Sequence, residues 1–75
     1  MRPLISGRIY EIPTGERLVA LPVVDSYWFY NPATRFHEPR KYATDPTGRI
    51  INARTSQPTA WTVDDLVDTG EDLSA

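Results

Sequence analysis

The chain has 75 residues, no cysteine and a formal charge of −2. That length supports a single hydrophobic core, because a chain this short buries only about 60 to 65% of the surface it exposes when unfolded. The missing cysteines exclude a disulfide framework and a thiolate metal site, and the charge is unevenly divided: residues 1–60 hold all eight Lys and Arg against five acids, whereas residues 61–75 hold five acids and no base.

The opening residues, Met1 to Gly7, lack the apolar run of a signal peptide, and no stretch of about 18 apolar residues follows, so a cytoplasmic protein with no membrane partner is the expectation. Turn signals then recur at short spacing: Pro13-Thr14-Gly15, Asn31-Pro32, Asp45-Pro46-Thr47-Gly48 and Ser56-Gln57-Pro58. The segments between them are rich in Ile, Val, Tyr, Phe, Trp and Thr. This pattern predicts strands over Ile5 to Ile12, Arg17 to Val24, Tyr27 to Tyr30, Arg35 to Tyr42 with a defect at Pro39, and Arg49 to Thr55. Pro22 cannot donate to a ladder and places the end of the second strand at an edge or a bulge.

Near the C-terminus, Thr62-Val63-Asp64-Asp65 fits a helix-opening capping box. Trp61 and Leu66 fall at the two staple positions and Gly70 supplies a stop. A short helix from about Val63 to Asp68 is expected, with a frayed end. The predicted architecture is mainly β: a five-stranded twisted barrel of SH3-like or OB-like kind, or a meander, over residues 1–60, followed by a capped acidic helix and tail over 61–75.

Six of the eight aromatic residues and the one histidine lie between Asp25 and Tyr42. If Tyr27 to Tyr30 folds back across Asn31 to Thr34, a loop length that hairpins use, Tyr30 opposes Arg35, Phe29 opposes Phe36, Trp28 opposes His37 and Tyr27 opposes Glu38. Alternation then divides the hairpin into a core face, Tyr27, Phe29, Phe36 and Glu38, and a mixed aromatic and cationic face, Trp28, Tyr30, Arg35 and His37. Trp28 on that second face has two readings, a core residue with a cation as cover or a contact for a partner.

Catalytic and cofactor chemistry has little support. His37 has no activating partner in its expected surroundings, and one His without Cys cannot make an ordinary zinc site. The tail acids do not follow the spacing of a calcium loop, and no phosphate-cradling glycine motif is present. No cofactor and no enzymatic activity are expected.

The leading reading is a non-catalytic binding module for another protein, acting as an accessory subunit or regulator, of a size that also fits an inhibitor encoded by a virus or plasmid. Its partner-binding residues are Trp28, Tyr30, Arg35, His37, Arg40 and Lys41. A second contact is expected at Trp61, Asp64, Asp65 and Asp68, and the module itself is a monomer or homodimer. The alternative is a single-stranded nucleic-acid binder with an autoinhibitory acidic tail, disfavoured by a pI of 5.1 where such domains usually exceed about 9.

Overall fold

Proline, threonine and glycine occur in the same order at Pro13-Thr14-Gly15 and Pro46-Thr47-Gly48. In the computed structural model of the chain, which describes residues 2–34 and 36–73, both triplets make the same three-residue hairpin loop. The Gly15 N–H donates to the Ile12 carbonyl (2.8 Å) and the Ile12 N–H to the Glu16 carbonyl (3.0 Å). Gly48 and Asp45 repeat the pattern, donating to the Asp45 and Arg49 carbonyls at 3.0 Å each. Gly15 and Gly48 have φ of 92° and 90°, in the left-handed region where a Cβ costs roughly 1–2 kcal/mol. Asp45 braces the second loop. Its Oδ1 accepts from the Thr47 hydroxyl (2.6 Å) and from the N–H groups of Thr47 (2.9 Å) and Arg49 (3.0 Å), and these bonds, the Thr47 hydroxyl foremost, hold its carboxyl below the ordinary aspartate range.

The two loops join β1 (Arg8–Glu11) to β2 (Arg17–Val23) and β4 (Tyr42–Thr44) to β5 (Arg49–Asn52). Between these hairpins runs β3 (Ser26–Tyr30), and β6 (Pro58–Thr62), a single 3₁₀ turn (Val63–Asp65) and β7 (Val67–Asp72) complete the chain order. Among the described residues all strands form one antiparallel sheet in the order β6-β5-β4-β3-β2-β1-β7, curled into a half-barrel. Its edges, β6 and β7, are joined by only Val63 to Leu66. So short a link, at about 3.3–3.6 Å per residue at most, requires the sheet to curl until its edges approach. Pro22 pairs with Tyr27 at the far end of β2, beyond the residues that face β1, where its missing donor breaks no bond to that strand.

Three expectations are corrected by this architecture. The fold is mainly β as expected, but seven strands replace five, and an open half-barrel with two edges, in which β1 to β6 pair in chain order as a meander and β7 adds beside β1, stands in place of a closed SH3-like or OB-like barrel. The C-terminal helix is not formed. The Thr62 N–H does donate to Asp65 Oδ2 (2.9 Å), but the turn ends at Leu66, whose φ of −74° and ψ of 135° start an extended segment. Val67, Thr69 and Gly70 are poor helix formers, and β1 offers their backbone a free ladder. Finally, the tight hairpin after Tyr30 is replaced by a long connection. β3 pairs with β4 through Trp28 opposite Ala43 and Phe29 opposite Tyr42. The expected register would have put Pro39, which has no N–H, inside a strand, whereas the observed strand starts after it.

The inner face of the sheet carries the core: Tyr10, Ile12, Leu18, Ala20, Phe29 and Ile50, closed by Leu4, Val63 and Leu66, with Tyr27, Tyr42 and Trp61 packed against them. Tyr10 and Phe29 are the bulkiest of the fully buried side chains. The segment Arg2 to Ile5 lies over this core as a strap. Leu4 is 7% exposed, its N–H donates to the Tyr27 hydroxyl (3.0 Å), and the Ile5 N–H donates to the Tyr10 hydroxyl (2.9 Å).

Both edge strands carry a bulge, and a threonine fills each one. On β6 the Thr59 hydroxyl donates to the Ile50 carbonyl (2.6 Å) while accepting from the Trp61 N–H (3.2 Å). On β7 the Thr69 hydroxyl donates to the Ile9 carbonyl (2.7 Å) while accepting from the Glu71 N–H (3.2 Å). A bulge bends and twists an edge strand, which makes it a poor template for a further strand.

Side chains tie β7 to its neighbours as well. Arg8 donates to Asp72 (2.8 Å) and to Asp68 (2.9 Å), and Arg17 pairs with Glu71. The Gly70 N–H (2.8 Å) and Arg8 together hold the Asp68 carboxyl below the ordinary value of 3.8. Because this group is more acidic when folded, its contribution is complete above the unfolded pKa and is lost as pH falls through the folded one. Asp45 acts in the same direction. The melting temperature is therefore expected to fall on acidification below about pH 4, and Asp68→Asn should lower it at neutral pH while flattening that acid limb. Parallel melting curves for the variant and the parent chain across the acid range would show that Asp68 contributes nothing.

Candidate interaction face

Strand parity places a second set of rings on the side of the sheet opposite the core. Trp28 and Tyr30 are half-buried there, either side of fully buried Phe29. Cross-strand neighbours continue the face: Leu21, Trp28, Ala43 and Ile51 form one row, and Ile9, Val19 and Tyr30 form another. Val19 is completely buried yet lies outside the core cluster, so this outer face has a packed centre of its own.

The connection from Asn31 to Lys41 folds back over these rings. Its first turn is set by Asn31, whose Oδ1 accepts from the Ala33 N–H (2.9 Å) and whose carbonyl accepts from the Thr34 N–H (3.3 Å). A second turn forms as the His37 N–H donates to the Thr34 carbonyl (3.1 Å). Phe36 then meets Tyr30 edge-on, ring centroids 5.0 Å apart at 79°. Arg40 lies over Trp28, its guanidinium carbon 4.5 Å from the ring centroid, before the Lys41 N–H joins the Phe29 carbonyl (2.8 Å).

The structure thus gathers Trp28, Tyr30 and Arg40 on one face, with Lys41 at its border. His37 is exposed on the connection and does not oppose Trp28, since Ala43 takes that position. Arg35 lies outside the described residues. Phe36, assigned by the hairpin register to the core, is 51% exposed and belongs with Tyr30. The position expected for it, opposite Phe29, is filled by Tyr42.

A groove opens beside this face, lined by residues 38–42, Glu38 and Arg40 among them, on one side and on the other by Asn52 at the end of β5 with Ala53 and Arg54 of the turn that follows. Lys41 pairs with Glu16, which holds its ammonium above the ordinary lysine range. Tyr42 is also raised, first by burial and then by Glu16. The turn is fixed by Asn52 Oδ1, which accepts from the N–H groups of Arg54 (2.9 Å) and Thr55 (3.2 Å). Arg54 had no distinguishing signal in the sequence, because nothing there shows that this turn comes to lie beside residues 39–42.

The residues of the expected second contact have structural engagements. Trp61 packs against the core, Asp65 caps Thr62, and Asp68 holds Arg8 and the Gly70 N–H, while Asp64 is exposed. The tail acids that pair with cations reach Arg8 and Arg17 on β1 and β2. Among the described residues no group of three or more His, Cys, Asp or Glu could hold a metal ion, and no helix is long and apolar enough to cross a membrane.

Small antiparallel half-barrels with an aromatic outer face are the class that this fold and this surface define. Comparison with family models, with curated proteins and with solved structures finds no match for the chain.

Proposed function

We propose that the chain is a non-catalytic protein-binding module, an accessory subunit or regulator in the cytoplasm, that docks its partner on the outer face through Trp28, Tyr30, Phe36 and Arg40. The observation that carries this reading is Trp28 held half-buried under Arg40, on a face that the hydrophobic core does not use. Trp, Tyr and Arg are the residue types that dominate interface energetics, and the stacked arginine presents them as an ordered surface. Strand addition at an edge is a poorer mode of binding for this chain, since both edge strands are bulged.

A second reading, single-stranded nucleic acid, draws support from the cations at the groove. It is weakened at Trp28, where a base stacking on the ring would compete with Arg40 for the face that the guanidinium covers.

Photo-crosslinking tests the protein reading. With benzoylphenylalanine in place of Phe36, irradiation in an extract of the source cells is expected to give a discrete protein adduct. The same group in place of Val67, an exposed residue of β7, should give none. Equal adducts at both positions, or none from Phe36, would overturn the reading.

A further inference from the structure

Most of the cations are satisfied within the chain. Among the described residues, Arg8 pairs with Asp68 and Asp72, Arg17 with Glu71, and Lys41 with Glu16. Arg2 donates to the Leu66 carbonyl and Arg49 to the Thr59 carbonyl. Arg40 and Arg54 are left without an acid or carbonyl partner there, and both line the groove beside Trp28. Stacking on Trp28 engages the flat face of the Arg40 guanidinium and leaves its N–H edge for an acceptor. Arg54 sits in a turn whose backbone is already fixed by Asn52, so binding has only its side chain left to order there.

We infer that this groove takes an acidic peptide segment of the protein partner, with carboxylates meeting Arg40 and Arg54. The inference rests on the protein-binding reading above and names the chemistry that the partner brings. A guanidinium donates two parallel, charge-assisted hydrogen bonds to a carboxylate, a geometry that adds specificity as well as affinity. The local charge suits a few carboxylates better than a continuous phosphate chain. Glu38 lines the same groove and Lys41 is already neutralised by Glu16, which leaves two guanidinium groups there and no extended cationic track for successive phosphates.

The test is a selection from a random dodecapeptide library displayed on phage, using the intact chain as bait. Selected peptides are expected to be enriched in Asp and Glu and to bind more weakly as salt rises. The double variant Arg40→Gln/Arg54→Gln should lose roughly tenfold or more in affinity for them. Arg17→Gln, which alters a cation outside the groove, should stay within about twofold of the parent chain. Circular dichroism identifies any variant that has lost its fold, and in that event the single variants Arg40→Gln and Arg54→Gln take its place. Selected peptides with no acidic excess, or peptides that bind the double variant as tightly as the parent, overturn the inference. So does an oligothymidylate that binds through the same two arginines more tightly than any selected peptide, which would place nucleic acid in the groove. A Phe36 crosslink to a protein that survives the double substitution overturns the acidic-segment inference and leaves the protein-binding reading standing; loss of the Phe36 adduct in the parent chain removes that reading itself.

Discussion

Phe29→Ala is expected to leave much of the chain unfolded at room temperature, whereas Trp28→Ala, one residue away, should leave it folded. Phe29 is fully buried in the core cluster, and truncating such a ring typically costs about 3–5 kcal/mol in lost transfer and in the cavity left behind. A domain of this length has roughly 4–11 kcal/mol of total stability, so the loss is comparable with the lower end of the whole. Trp28 is half-buried on the opposite face. Its removal sacrifices partial burial and the Arg40 stack, the latter worth roughly 0.5–1 kcal/mol at an exposed site, and a total of about 1–2 kcal/mol is expected. Urea melts followed by circular dichroism measure both. If the two variants lose the same stability, Trp28 is a core residue and the outer face loses its central contact.

This contrast is largely legible in the sequence, because alternation along Tyr27-Trp28-Phe29-Tyr30 needs only the two-residue period of a strand. Tyr27 and Phe29 do turn inward, and Trp28 and Tyr30 do not. The repeated Pro-Thr-Gly triplets are legible for a similar reason, since a left-handed glycine after a turn is a local requirement. Strand pairing is different. Whether Phe29 meets Phe36 or Tyr42 depends on how residues 31–41 fold, and two prolines with two successive turns carry the chain past the short loop that its length alone suggested. The capping box at Thr62 and Asp65 is likewise a true signal for a local turn and a false one for the start of a helix. The path of the chain beyond that turn is decided by the open edge of β1 and by Arg8, which lie some sixty positions away in the chain. The groove is illegible on the same grounds, since Arg40 and Arg54 become neighbours only through the β4–β5 hairpin and the turn after it.

The second large effect is expected at the strap. Leu4→Ala should destabilise the domain by about 2–4 kcal/mol, because Leu4 is nearly as buried as the strand residues it covers. The strap also carries polar bonds that a simple cavity does not. The N–H groups of Leu4 and Ile5 donate to the hydroxyls of Tyr27 and Tyr10, Arg2 donates to the Leu66 carbonyl (2.8 Å), and its guanidinium carbon stands 5.6 Å from the Tyr10 ring centroid. Tyr27→Phe alone should cost about 1–2 kcal/mol, since it strands the Leu4 N–H in a partly buried place. If the strap docks as one unit, losing Leu4 loosens the segment that brings this N–H to the hydroxyl. Once it has loosened, the hydroxyl has less to lose. The double variant should then cost less than the two single variants together, by about 0.5–1.5 kcal/mol in a double-mutant cycle. Amide exchange at Leu4 and Ile5 should accelerate together in Leu4→Ala, ahead of the β2 amides, because a docked segment opens at lower free energy than the sheet beneath it. Additive losses, with Ile5 exchange unchanged in Leu4→Ala, would mean that each contact holds its own residue and that the strap does not close the half-barrel as a unit.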